Sequence, residues 1–347
     1  MVRFLSSGTF MRFQRFPGAP FPRCTKQCLR SEMLWRESDL SLIDCLWSFL
    51  ALCFLAAFCF HKTLARPQKE HEKSTLFTCF QDLIRYGKTK QALHRGDWLR
   101  VFDVPKRWFW HFYLVSFCWN VFLLVLYLNS TCRQQPLPSW LTGILDMLTG
   151  VVTTDIKVPQ LSTVLVQLLL SIHSLRRLLE CLFVSVFSDG VIHLVQYVFG
   201  LGYYIVLGLT VLCSDHGAKG TGSLMSQLDW IHVVGFIIYV GASLLQHRSM
   251  LLLARLRTGT SGKVETLAHR MPTGGWFELV SCPHYFAELL IYISFSLVFG
   301  GLSLTWWLVV LYVLFNQALA GQLCHELYVS KFHSYPKHRK VIIPFVF

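Results

Sequence analysis

The sequence predicts an all-α, polytopic membrane protein with seven transmembrane helices and a cytosolic C-terminus. Three observations carry that reading. Of 347 residues, 53% are hydrophobic and only 15% are charged, against about 25% charged in soluble domains. Apolar runs recur at the length of about 20 residues that crosses a bilayer. Lys and Arg collect in alternate connections between those runs, as they do on the cytosolic side of membrane proteins.

The runs are, in order, Ser41–Phe60, Trp108–Leu128, Val158–Ile172, Val191–Cys213, Trp230–Gln246, Tyr285–Gly300 and Leu302–Ala320. The third and sixth are short. Trp140–Val152 is shorter still and suits a re-entrant or interfacial helix. Segment 61–107 is rich in Lys and Arg. Arg176 and Arg177 follow the third run, and Arg248, Arg255, Arg257, Lys263 and Arg270 follow the fifth. The tail carries Lys331, Lys337, Arg339 and Lys340, whereas the other connections hold only Arg133, Lys157 and Lys219. Seven spans put every basic connection on the side of the C-terminus. Residues 1–32 break the pattern with Arg3, Arg12, Arg15, Arg23, Lys26 and Arg30 against one acid, Glu32. We read 1–40 as an N-terminal extension, with Met33 as the alternative start, and 41–347 as the membrane domain.

The net charge of +13 has no nucleic-acid motif beside it. It fits cytosolic loops against anionic lipid and a phosphate-bearing cofactor. The 12 Cys show no CxxC pair and no regular spacing, so neither a disulfide framework nor a metal site is expected. Neither GxGxxG after a strand nor GxxxxGK[ST] occurs, so the sequence does not support a Rossmann or P-loop nucleotide site.

Ionisable groups at membrane depth are costly and mark candidate sites. His111, Tyr113, His173, Arg176, Arg177, Glu180, His193, Glu288, His325 and Glu326 all lie in or beside apolar runs. A single such His is more often a helix–helix hydrogen bond, and Arg176, Arg177 and Glu180 also read as an ion pair at a helix end. Their number in one bundle points to a reaction site. Arg255, Arg257, Arg270, Lys337, Arg339 and Lys340 converge on the cytosolic face, where the guanidinium fork suits phosphate.

Several separated motifs resemble the steroid 5-alpha-reductase family. They are Arg270-Met271-Pro272-Thr273-Gly274-Gly275-Trp276-Phe277 with Glu288, and His325-Glu326-Leu327-Tyr328 followed by Tyr335-Pro336-Lys337, Arg339-Lys340 and Ile343-Pro344-Phe345. Three more resemble its polyprenol (polyprenal) reductase branch: Phe80-Gln81-Asp82-Leu83-Ile84-Arg85-Tyr86-Gly87-Lys88-Thr89-Lys90, Phe102-Asp103-Val104-Pro105-Lys106-Arg107, and His173-Ser174-Leu175-Arg176-Arg177 with Glu180-Cys181. The resemblance implies an enzyme of the endoplasmic reticulum membrane that uses NADPH, with about 228–347 forming most of the cofactor site. It implies reduction of the alpha-isoprene unit of a polyprenoid, on the route from polyprenol to dolichol for protein N-glycosylation, and a 3-oxo-steroid side activity. It places Arg177, Arg257, Arg270, His284, Glu288, Tyr328 and Arg339 near the cofactor. His284 stands where steroid-reducing relatives have Asn. Tyr113 or His111 stands for their Glu, and Ser174 for their Tyr, which points to a differently shaped acceptor. His325 falls in the family's polar C-terminal helix motif.

A hydride does not add to an isolated alkene, because nothing accepts the carbanion. Conjugation to a carbonyl does accept it, so polyprenal is the expected direct substrate, with a donor at the carbonyl oxygen. His111 and Tyr113 are two residues apart, about 200° around a helix, so only one faces the site. We favour Tyr113, whose phenol donates without a charge, and keep His111 and His325 as alternatives. A second class of function, an isoprenylcysteine-type membrane methyltransferase, rests on Pro283-His284-Tyr285 and Glu288. A third, a lipid carrier without catalysis, leaves the polar cluster unexplained.

Overall fold

The computed structural model of the chain describes residues 40–64, 75–91, 93, 95–152, 159–216, 223–258 and 263–347. The expected extension, apart from Leu40, and its Met33 start lie outside them, as do Lys157 and Lys219. Residues Ser41–Phe347 form one compact unit.

Ten helices carry the fold among the described residues. They are α1 (Leu42–Leu64), α2 (Thr75–Ile84), α3 (Lys88–Gln91), α4 (Phe109–Arg133), α5 (Ser139–Thr149), α6 (Leu161–Leu179), α7 (Leu194–Cys213), α8 (Trp230–Arg255), α9 (Pro283–Val298) and α10 (Leu304–Lys331). Their ends follow local chemistry. Gln134, at φ 51°, and Gly150, at φ 72°, close α4 and α5 in the left-handed region. Asp229 caps α8 with His232 in a reciprocal capping box. Pro283 opens α9, where its missing N–H has no helical partner to lose.

Five helices are long and apolar enough to cross a membrane: Leu42–Thr63, Lys106–Arg133, Leu194–Cys213, Trp230–Arg255 and Leu304–Lys331. The expected third and sixth spans are helical but depart from the pattern. Helix α6 runs on to Leu179 and takes His173, Arg176 and Arg177 inside the helix instead of into a loop. Helix α9 has 16 residues, about 24 Å at 1.5 Å per residue against a hydrocarbon core of about 30 Å. Helix α10 extends to Lys331, so His325, Glu326 and Tyr328 are helical. Trp140–Val152 contributes α5, which buries Leu141, Leu145 and Leu148.

The core is aromatic. Trp47 on α1 and Trp306 on α10 are fully buried. Their indole N–H groups donate to Thr210 (3.1 Å) and Ser214 (2.8 Å) on and just after α7. That satisfies the polar edge of an otherwise apolar ring.

A small antiparallel pair departs from all-α structure. Strands β1 (Asp103–Pro105) and β2 (Val191–His193) pair with Val104 opposite Ile192. Beside them Gly87 N–H donates to Val191 (2.7 Å) and Lys106 N–H donates to Gly190 (2.8 Å). A Cβ on Gly190 would sit 2.9 Å from the Gly87 Cα, so this close approach requires glycine. A buried ion quartet pins the same region. Lys90 meets Asp82 at 2.9 Å and Asp103 at 3.2 Å, while Arg95 meets Asp82 at 3.1 Å and Asp103 at 2.5 Å.

Candidate active site

A cavity of about 670 Å³ opens inside the bundle. Its wall combines two chemistries. Leu50, Phe54 and Ala57 of α1, Phe199 of α7, and Val313 and Leu319 of α10 supply apolar surface. Lys88, Lys106, Arg177, Arg257 and Arg270 supply cations. The β1–β2 pair and the Gly87 contact bring Lys88 and Lys106 to one place, although 18 residues separate them.

Tyr113 lines the cavity and is 7% exposed. Arg177 on α6 donates to its hydroxyl through Nη2 (3.1 Å) and Nε (3.3 Å), and its guanidinium lies 5.0 Å from the ring centroid. The third nitrogen of Arg177 donates to Glu180 at 2.5 Å. The phenol therefore accepts from Arg177 and keeps its own hydrogen to give. His111 is not among the lining residues. Its Nδ1 lies 2.7 Å from the Tyr197 hydroxyl. Ser174 is fully buried and shares a 2.6 Å hydrogen bond with Ser116.

The expected cofactor residues divide. Arg257, Arg270, His284, Glu288 and Tyr328 line the cavity together with Arg177. Arg257 donates to the Val186 carbonyl and to His269 Nε2 at 3.2 Å. Burial, and then Arg257 and Lys88, push the His269 imidazole down to about 4, so it is neutral at pH 7 and can accept. Tyr328 accepts from Lys88 at 2.6 Å. Glu288 accepts from Gln246, and His173 Nε2 stands 3.4 Å from it, longer than a good hydrogen bond. Arg339 lies behind the wall. It donates to the Pro272 carbonyl and to Glu278, both at 2.8 Å, and so ties the C-terminal segment to the 270–278 loop. The Gly274 N–H, and then Arg339, hold the Glu278 carboxyl below its ordinary range. His325 is also outside the wall, bonded through Nδ1 to Ser281 Oγ at 2.6 Å.

Lys88, Lys106, Gln246 and the hydroxyl-bonded pair Tyr86–Tyr285, 2.6 Å apart, were not singled out from sequence. Burial pushes the Tyr86 phenol up to about 12. Lys88 and Lys106 sit inside the Phe80–Lys90 and Phe102–Arg107 motifs, which were the available signal. Ser185 Oγ, Gln196 Oε1 and His284 Nδ1 are buried, belong to lining residues and have no partner within the protein. Unpaired buried polar atoms are costly. With five cations around them, this wall fits an anionic ligand of nucleotide size. Among the described residues no three His, Cys, Asp or Glu side chains group to hold a metal ion.

Residues 191–347 match the model of the 3-oxo-5-alpha-steroid 4-dehydrogenase family. A polyprenal reductase of Danio rerio is 56% identical over 309 residues, covering 88% of this chain and 98% of the relative. The chain belongs to the polyprenal reductase branch of the steroid 5-alpha-reductase family. Polyprenal reductases of Xenopus tropicalis (53% identical; 89% of this chain, 100% of the relative) and Homo sapiens (50%; 77% and 86%) agree. These polyprenal reductase relatives lend no support to the methyltransferase reading. Members of this family are oxidoreductases acting on CH–CH groups with a nicotinamide cofactor, and the apolar helices make this one a multi-pass membrane protein.

Proposed function

We propose that the protein reduces the alpha-isoprene double bond of polyprenal to dolichal, with NADPH as reductant, on the route from polyprenol to dolichol for protein N-glycosylation. We place it in the endoplasmic reticulum membrane with seven spans, α1, α4 and α6–α10, and a cytosolic C-terminus. The polar end of α6 and the shortness of α9 belong to the cavity: these two helices carry Arg177 and Glu288 to its wall.

The single observation that carries this reading is the Tyr113 hydroxyl, held by two Arg177 N–H donors at the cavity wall. NADPH, when bound, supplies the hydride to the carbon beta to the carbonyl. Tyr113 donates a hydrogen bond to the aldehyde oxygen and stabilises the enolate charge that gathers there, and a proton from water then completes the alpha carbon. Arg177 makes that phenol a better donor without entering the chemistry. Lys88, Lys106, Arg257 and Arg270 bind the cofactor's phosphates, with Tyr328, His284 and Glu288 orienting the rest. Arg339 supports the loop that carries Arg270. The apolar wall takes the first isoprene units and leaves the tail in lipid. Ser174, tied to Ser116, offers no hydroxyl to a steroid ketone, so activity on 3-oxo steroids is a minor one.

The experiment is purified protein in detergent with NADPH and either polyprenal or a 3-oxo-4-ene steroid, following loss of NADPH absorbance and the product by mass spectrometry. Dolichal formation is expected. NADPH oxidation with the steroid alone would overturn the assignment.

A further inference from the structure

Glu180 is not among the residues lining the cavity, yet its carboxylate organises the cavity's polar wall. It opens a single π turn, Glu180–Val184, closed by the Ser185 N–H to the Glu180 carbonyl at 2.7 Å. Such turns recur where a helix must aim a side chain at a functional site. The residue is 2% exposed. Oε2 accepts from Arg177 at 2.5 Å, while Oε1 accepts from Arg176 at 2.7 Å and stands 2.8 Å from His247 Nδ1.

An ion pair at a helix end accounts for two of these contacts but not for what the guanidiniums do next. Both remaining Arg177 nitrogens go to the Tyr113 hydroxyl. Arg176 donates to Gln246 at 2.5 Å, and Gln246 donates to Glu288. One carboxylate thus fixes the phenol on one side and the Glu288 side of the wall on the other. Two guanidiniums face two carboxylates along this chain of contacts, so the four charges cancel. Removing one negative charge leaves two adjacent guanidiniums to repel each other where water screens them poorly.

We propose that Glu180 is a positioning residue for the reduction. It holds the Arg177 fork in the one orientation that directs the Tyr113 hydrogen into the cavity. This rests on the reading of Tyr113 as carbonyl donor.

The test is a double-mutant cycle on the full chain in lipid nanodiscs, with polyprenal kinetics and NADP+ binding measured separately. Glu180→Gln keeps the shape and removes the charge. It is expected to lower kcat by about tenfold, less than the roughly hundredfold loss from removing the donor itself, with NADP+ affinity and polyprenal KM nearly unchanged. Combined with Tyr113→Phe it should add little, because both changes disable one device. Losses that multiply, or a silent Glu180→Gln beside a damaging Tyr113→Phe, overturn the proposal and leave the donor reading standing. A silent Tyr113→Phe overturns both. If Glu180→Gln does not fold, Arg177→Lys carries the test, since it keeps the charge and loses the fork. It should show the same kcat loss and the same failure to add, and a loss of NADP+ affinity in its place overturns the proposal.

Discussion

Tyr113 has one hydrogen to give and, on the cavity side, one direction in which to give it. Tyr113→Phe keeps the ring and its packing against Tyr204, 5.8 Å away, and removes only that hydrogen. The kcat for polyprenal should fall by about 10²-fold, the scale of losing one oxyanion donor, while NADP+ affinity holds. His111→Ala should cost far less, since it breaks contacts with Tyr197, Trp108 and Trp110 that lie away from the donor. Steady-state kinetics on both variants check this, and a dead His111→Ala beside an active Tyr113→Phe would reverse the roles. The family resemblance reduced the donor to these two neighbours, and the helical angle showed that only one of them faces the site. Geometry could not choose between them, because the partners that settle orientation, Tyr197 for His111 and Arg177 for Tyr113, lie 86 and 64 positions away and follow no local period. His325 was legible as polar and helical for the same reason that its bond to Ser281 was not. A helix face is written locally, but what packs on it is not.

The segment between α2 and β1 shows what an element needs before it can present a site. Lys90 and Asp82 have fully buried side chains and Arg95 and Asp103 nearly so. Two positive and two negative groups close the quartet. Lys90→Met would leave two carboxylates against one guanidinium and should destabilise the protein by about 3–5 kcal/mol, the scale for an uncompensated buried charge. Chemical unfolding in detergent measures this. Lys88, two residues away, should then lose its place, and NADP+ affinity should fall with stability. The pH sign follows from Asp103. Burial alone would raise its carboxyl, but hydrogen bonds from Arg95 and Lys90 outweigh it, and the net direction is down. A depressed carboxyl stabilises the fold at pH values above its unfolded range and loses that contribution as pH falls through the folded value. Acid unfolding should therefore set in below about pH 4, and Asp103→Asn should flatten that limb. Positive-inside bias had marked this stretch as a cytosolic loop rich in Lys and Arg. It did not reveal that the charges are buried, because bias counts residues and burial depends on which acids meet them.

Across the whole molecule, cations from four separate segments meet at one wall: Lys88 at the start of α3, Lys106 before α4, Arg257 after α8 and Arg270 in the following loop. Membrane class and most helix positions were legible because a bilayer imposes length and hydropathy on each span by itself. The two irregular members, α6 and α9, departed from the span pattern where the wall demands polar groups. The convergence of charge predicts strong preference for NADPH over NADH, and Arg257→Ala should raise the NADPH KM by roughly tenfold, as for one lost charge-assisted bond. Equal use of NADH by the unaltered protein would contradict it. The same wall gives a finer test through His269, which sits against Arg257 with Lys88, Lys106 and Lys331 adding to the positive field. Free, this imidazole is held down at about 4, by burial first and by those cations next. A bound phosphate offsets the cations, so the imidazole should rise on binding and take up a proton. A ligand that raises a group's pKa binds more tightly as pH falls through the new value, with the gain ending near the old one. The 2′-phosphate titrates in the opposite sense near pH 6, which makes the comparison with His269→Gln essential. NADP+ is the probe because it survives acid. As pH falls from 7.5 toward about 4, its affinity for the unaltered protein should improve relative to that for His269→Gln, and parallel pH curves for the two would remove His269 from the phosphate site.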